Sequence, residues 1–253
     1  MSWASRRRFL YMTGVVVFFA LLIGIPTAFY LYEPATCTDG IANQGETDID
    51  KGGPCQILDA RYLIPDSVLW TRTFKVRDGL FNGVVYIENP NGNAGVKEAP
   101  YRFQIYDDRG VIVAERTGVT YLSPGMVTPI FIGGIETGNR DATRAFFEFV
   151  APLVWERLAD RSGEVIVRNK DIVDIATQPR ITATIEHTGV KDLTDLTVVA
   201  VVYDIAGNAF AASSTIIPLL PGGDEYDVFF VWPEPFAREP ARIDVLPSVP
   251  PVL

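Results

Sequence analysis

The 253-residue sequence contains one histidine, His187, and only two cysteines, Cys37 and Cys55. Nucleophilic catalysis usually needs a neighbouring base, and zinc or copper sites want several His or Cys ligands. One imidazole and one cysteine pair supply neither. No Gly-rich phosphate loop follows a strand pattern, because Gly133-Gly134 and Gly222-Gly223 read as turns. The acids of Asp107-Asp108 share one turn pattern, whereas glycoside hydrolysis sets two carboxyls across a cleft. The expectation is that the chain is not an enzyme.

Charge is missing from Phe9 to Tyr32, a run of 24 residues that Glu33 and Pro34 end. As a helix this run is about 36 Å long, enough to cross a hydrocarbon core of roughly 30 Å. Arg6 to Arg8 precede it, and no Lys or Arg follows before Lys51. That asymmetry puts residues 1–8 in the cytoplasm as a basic tail and everything after residue 32 on the other side. Trp3 and Tyr11 at one end, and Phe29, Tyr30 and Tyr32 at the other, suit the interfacial aromatic belts. A cleaved signal peptide has a shorter apolar core and a small-residue exit. Pro26-Thr27-Ala28 is a poor exit, so residues 9–32 are expected to stay as a transmembrane anchor in the lipid bilayer, with Pro26 kinking it or marking its outer turn.

Acidic residues are absent before Glu33, and only three of the 22 basic residues lie there. The remainder therefore carries 19 − 31 = −12. Such a surface repels phosphate backbones, so nucleic acid is not an expected partner.

What is present beyond the anchor is a repeat. Phe103-Gln104-Ile105-Tyr106-Asp107 returns 97 residues later as Ala200-Val201-Val202-Tyr203-Asp204. Leu122-Ser123-Pro124-Gly125 returns as Leu219-Leu220-Pro221-Gly222, also at 97. Val85 to Glu88 matches Ala183 to Glu186 at 98, and Phe146 to Phe149 matches Ile243 to Leu246 at 97. Tyr-Asp-x-x-Gly is hairpin chemistry, with Gly where φ turns positive, and Pro-Gly suits a type II turn. Short β-branched and aromatic runs fall at 81–87, 101–106, 111–114, 128–132 and 145–150, and again at 197–203, 209–213 and 226–232. An extra stretch, 158–175, holds a further strand candidate at 164–168, and 154–159 reads as a short helical turn at most. The repeat sets His187 opposite Asn89, in a loop after a strand, which predicts a surface histidine. Trp70, Trp155 and Trp232 lie in apolar runs and are expected in the core.

Phe103 to Asp107 resembles the signature of the FxLYD domain, a small immunoglobulin-like sandwich of bacterial and archaeal surface proteins, with Ala200 to Asp204 as a degenerate copy. Ile87 to Asn91 is similar to the Asn-Pro-Asn region of water-stress-type (WHy) sandwiches. The whole arrangement is similar to membrane-anchored surface proteins of candidate-phyla bacteria. The resemblance covers about residues 60–250. It implies an all-β ectodomain of two tandem immunoglobulin-like β-sandwiches behind one transmembrane helix, and it transfers no catalytic residue. The domains expected are a linker at 33–58, sandwiches at 59–150 and 151–246, and a free Pro-rich tail at 247–253.

Cys37 and Cys55 bracket an acidic, Gly-rich segment in a compartment where disulfides persist. It resembles a bacterial surface motif, C-x-D-G-I-x-N-x-x-E-x-x-x-D-C-G-G-x-C-x-x-C, with Lys51 and Leu58 in place of its second and fourth cysteines. If the motif pairs first with third, the resemblance implies that Cys37 bonds Cys55. Asp39, Asn43, Glu46, Asp48 and Asp50 offer hard oxygen ligands for calcium. Gly52 at the fifth loop position and Asp59 at the twelfth depart from an EF-hand, so a solvated linker competes with that reading. No other cofactor is expected. The functional expectation is a binding or assembly module of the cell envelope, engaging another envelope protein or a glycan. The alternative is a passive spacer.

Overall fold

A computed structural model describes residues 3–31 and 35–251. Tyr32, Glu33 and Pro34, where the anchor was expected to end, lie outside the described residues, as do Val252 and Leu253 of the tail.

Helix α1 (Trp3–Leu31) takes in the uncharged run from Phe9 to Leu31, begins ahead of the three arginines and carries Pro26 inside it. Thr27 Oγ1 donates to the Ile23 carbonyl at 2.7 Å, near the position where proline removes a backbone donor. By length and composition α1 is a candidate membrane span near the N-terminus. Residues 1–54 form one compact unit and residues 55–253 another.

The second unit is β-structure apart from one 3-10 turn at Ala60–Tyr62. Its first half holds β1 (Ser67–Arg77), β2 (Leu80–Glu88), β3 (Ala94–Tyr106), β4 (Ile112–Leu122), β5 (Val127–Glu136) and β6 (Arg144–Phe149), with the short β7 (Glu156–Arg157) pairing to β3. Its second half holds β8 (Val165–Val173), β9 (Arg180–His187), β10 (Leu193–Tyr203), β11 (Ala209–Leu220), β12 (Glu225–Val231) and β13 (Arg242–Ser248). All ladders are antiparallel. The sheets run β4-β3-β6 and β1-β2-β5 in the first half, β11-β10-β13 and β12-β9-β8 in the second. Strand for strand the two halves have one topology.

Three apolar layers lie between these four sheets. Val85, Ile87, Phe103, Ile105, Leu122 and Phe147 fill the first sandwich. Ile181, Ile185, Val198, Val202, Ile217 and Phe230 fill the second. The third layer joins them: Phe74, Val84 and Tyr86 of β1-β2-β5 meet Val199, Val201, Tyr203 and Ala212 of β11-β10-β13. The sandwiches are therefore stacked face on face. Every residue from Val84 to Ile87 and from Val198 to Tyr203 is buried, because β2 and β10 each lie between two apolar layers. Each fully buried valine is worth roughly 1.5–3 kcal/mol relative to exposure, so this layer binds the halves tightly.

The choice of face follows from the residues. At the positions of Val199 and Val201, the first copy has Arg102 and Gln104, whose face is polar: Arg102 bonds Glu148 and Gln104 bonds Glu115. At the positions of Val84 and Tyr86, the second copy has Thr182 and Thr184. Each copy thus keeps one apolar outer face and one polar one. Gly83 permits the close fit inside the first sandwich, since a Cβ there would lie 2.5 Å from the Phe103 ring.

Several expectations change. β1 has no counterpart among the strands marked from sequence, and the extra stretch at 158–175 contains β8, which is its repeat equivalent. Residues 154–159 contain no helical turn but the bridge strand β7. The closing strands align at 98, not 97: Tyr106 pairs with Arg144 and Tyr203 with Arg242. The C-terminal tail is not free. Strand β13 continues through Pro247 and Ser248, Val249 is buried, and the carbonyls of Ser248 and Val249 accept from Tyr121 Oη and Ser123 Oγ, each at 2.5 Å.

Candidate functional site

Between the anchor and the β-structure, no described cysteine is free, and Cys37 and Cys55 are disulfide-bonded. The acids expected as calcium ligands are turned towards the backbone. Asp39 accepts from the amides of Thr36 and Ile41 at 2.9 Å each and from Asn43 Nδ2 at 3.0 Å, and the Thr36 amide leads in holding its carboxyl below the usual range. Asp50 accepts from Gly40 N at 3.1 Å, Glu46 from the amides of Asn43 and Asp50, and Asp48 from Ile49 N. In this arrangement the side chains act as turn caps that order a segment poor in apolar residues.

His187 is fully buried, contrary to expectation. Its Nδ1 donates to the Pro221 carbonyl at 3.1 Å, and Nε2 lies 3.7 Å from Glu164 Oε2. Arg161 pairs with that carboxylate at 2.5 Å and is the main reason the carboxyl stays below its usual range. In the first copy Asn89 is likewise buried and donates to the carbonyls of Ala94 (2.7 Å) and Ser123 (3.0 Å). Both residues close their sandwich over the Pro-Gly turn. His187 is the last residue of β9 and not a loop residue, and a strand end signals exposure only when no turn must be tied down beneath it.

Between the sandwiches, Trp70 packs on Tyr86 with ring centroids 4.2 Å apart. The Tyr86 hydroxyl is buried with no hydrogen bond of ordinary geometry; burial, then the nearby Tyr203 and Asp244, push its ionisation far up. Arg242 lies over the Tyr203 ring at 3.9 Å, as Arg144 lies over Tyr106 at 5.3 Å in the first copy. Burial raises Tyr203 as well, so Tyr86 and Tyr203 stay neutral and serve packing.

At one end of the same junction opens a groove of about 820 Å³. The end of β1, the start of β11 and the segment after β12 line it, with Phe74, Arg77, Phe210, Trp232, Phe236 and Arg238 among its walls. Phe236 meets Phe210 and Trp232 edge to face at 5.3 and 5.1 Å. Arg238 is tethered to Asp204 at 2.8 Å, and Lys75 to Asp78 at 2.8 Å, so charged groups of both signs rim an aromatic floor. Of the tryptophans expected in the core, Trp155 is buried, whereas Trp70 and Trp232 are half-buried at the junction. Nothing in the sequence joins residues 73–78 to 232–238; the unbroken apolar runs of β2 and β10 were the available sign of a second buried face. A smaller hollow of about 430 Å³ lies among Asp107, Asp108, Arg109, Asn139, Arg140 and Asp141 at the far turn of the first sandwich. Asp107 and Asp108 sit together in that turn, as their sequence pattern indicates.

No family model matches the chain, and no curated protein does. Among solved structures it is similar to a β-glucuronidase of Bacteroides uniformis, at 15% identity and a TM-score of 0.21, over 70% of this chain and 23% of that one. It is similar also to Bacteroides uniformis β-glucuronidase 2 covalently bound to cyclophellitol-6-carboxylate aziridine, at 14% identity and a TM-score of 0.20, with the same coverages. The chain spans 23% of the length of either protein, and at these TM-scores the likeness carries no argument.

Proposed function

We propose that the chain is a membrane-anchored, non-catalytic binding or assembly module of the cell envelope, with immunoglobulin-like sandwiches outside the cytoplasm. The observation that carries this reading is the groove at the junction of the two sandwiches. It is concave, formed by the end of β1, the start of β11 and the segment after β12, floored by aromatic rings and rimmed by paired charges, as recognition sites at domain junctions are. Its partner is another envelope protein or a glycan. The disulfide and the Arg6–Arg8 cluster near the start of α1 support the outward orientation.

Two measurements test the reading. Protease added to intact cells should remove the β-structure and leave the anchor; protection of the C-terminal part sinks the orientation. Full-length tagged chain, cross-linked in its native membrane, should retain a reproducible protein or glycan that a Phe236→Ala, Arg238→Ala variant loses. A capture profile that the variant leaves unchanged sinks the groove as the site.

A further inference from the structure

We propose that the free edge of β12 pairs with β12 of a second copy, joining two three-stranded sheets into one of six. An open strand edge presents unpaired N–H and C=O groups, and native edges are commonly blunted by proline, lysine, bulges or a covering element. The other edges here carry such devices. β1 has two register shifts and Lys75. β4 has a register shift and the charged pair Glu115-Arg116, and β5 has Pro129 and, between Ile132 and Ile135, a register shift. β8 has Lys170 and a shift, and β11 has Pro218 and a shift. β6 is short and lies against β1, while β13 lies against β5 and β8 and carries Pro247.

β12 has no proline, lysine or register shift; its charges are Glu225 and Asp227, and it lies beside β11 as β5 lies beside β4. Glu-Tyr-Asp-Val-Phe-Phe-Val pairs with β9 without a register shift from Glu225 to Val231 and contains no Pro, Lys or Gly. Among the described residues, its backbone makes no hydrogen bond outside that ladder. About three amides and three carbonyls therefore face outward, as in any antiparallel edge of this length. Phe229 and Val231 on its outer face are 54% and 50% exposed. The equivalent of Phe229 in the first copy, Phe131, packs against the layer between the sandwiches.

The second copy is the occupant that the charge pattern fits. The antiparallel register overlapping the whole strand is centred on Val228. It sets Asp227 opposite Phe229 and Glu225 opposite Val231, with no carboxylate facing a carboxylate. Shifting the centre to Asp227 or Tyr226 brings acids face to face, which disfavours those registers. The pairing is isologous and closes on itself, leaving no β12 edge for a third copy. Copies held in one membrane by α1 also meet at high effective concentration, offsetting the mutual repulsion of two acidic surfaces.

The test uses the full chain in its native membrane. Asp227→Cys and Phe229→Cys variants, differently tagged, are co-expressed and exposed to mild oxidant. A mixed disulfide dimer is expected at least tenfold above that from a Val119→Cys pair on the outer sheet of the other sandwich. Phe229→Lys on the unmodified background should lower the dimer fraction of the detergent-solubilised chain at least tenfold by light scattering, while circular dichroism stays unchanged. The proposal is overturned if the mixed disulfide does not exceed the control or if Phe229→Lys leaves the dimer intact. Cross-linking of Phe229→Cys to a different protein, in place of the second copy, overturns it as well.

Discussion

His187 does in the second sandwich what Asn89 does in the first: each is buried and donates to a carbonyl of the turn that joins the fourth and fifth strands of its copy. One amide and one imidazole, 98 positions apart, perform the same task through different chemistry.

The equivalence predicts an asymmetric pair of substitutions. His187→Ala removes a buried ring and leaves the turn carbonyl without its donor, costing about 2–4 kcal/mol. His187→Asn restores a donor of the kind the other copy uses and should cost less than half as much. Urea unfolding of the detergent-solubilised chain, followed by tryptophan fluorescence, distinguishes the two; equal losses would mean that the ring only fills space.

The Tyr-Asp-x-x-Gly turns predict how the fold responds to acid. Asp107 accepts from the amides of Arg109 and Val111, and Asp204 from those of Ala206 and Asn208. Gly110 and Gly207 supply the positive φ, +75° and +78°, that closes each turn. The Val111 and Asn208 amides lead in holding these carboxyls below the usual range. A depressed folded value means the stabilisation is complete above the unfolded value of about 3.9 and is lost as pH falls through the folded one. An Asp107→Asn, Asp204→Asn variant should therefore melt below wild type at neutral pH, and the gap should narrow as pH drops below about 4. Melting curves across that range check it; a gap that widens in acid contradicts the assignment.

The layer between the sandwiches predicts coupled unfolding. Val201 is fully buried there, and Val201→Asp should cost about 3–5 kcal/mol because the new charge has no partner. Calorimetry is expected to show one transition in wild type and two in the variant. Thr117→Asp, exposed on the polar face of β4 opposite Arg102, should leave a single transition within about 0.5 kcal/mol of wild type. If both variants keep one transition, the halves do not depend on that layer.

The disulfide predicts a local effect. Closing a loop of this size stabilises it by roughly 3 kcal/mol in the chain-entropy description. Reduction should open residues 38–54 to trypsin at Lys51 while the main melting transition moves little. Resistance at Lys51 after reduction would mean that the turn caps of Asp39 and Asp50 hold the segment unaided.

Much of this architecture is legible in the residues. The duplicated Tyr-Asp-x-x-Gly and Pro-Gly landmarks mark hairpins because each demands a backbone state that few residues tolerate, and hairpin chemistry is local. The stacking is not local. It depends on which face of β2 and β10 is apolar, and that shows only when Val84 and Tyr86 are set beside Thr182 and Thr184 in a three-dimensional register. The groove is harder still, because Phe210 and Phe236 come together only after β11 and the segment following β12 have been placed.

The allotment of faces has an outcome for growth of the fold. Thr182 and Thr184 stand at one end of the pile and Arg102 with Gln104 at the other, so a further copy inserted in the gene would not find the valine and tyrosine pair that the inner layer uses. Replacing those two threonines by valine and tyrosine would reopen that end, while Arg102 and Gln104 would still close the other. Two is the number written into the side chains.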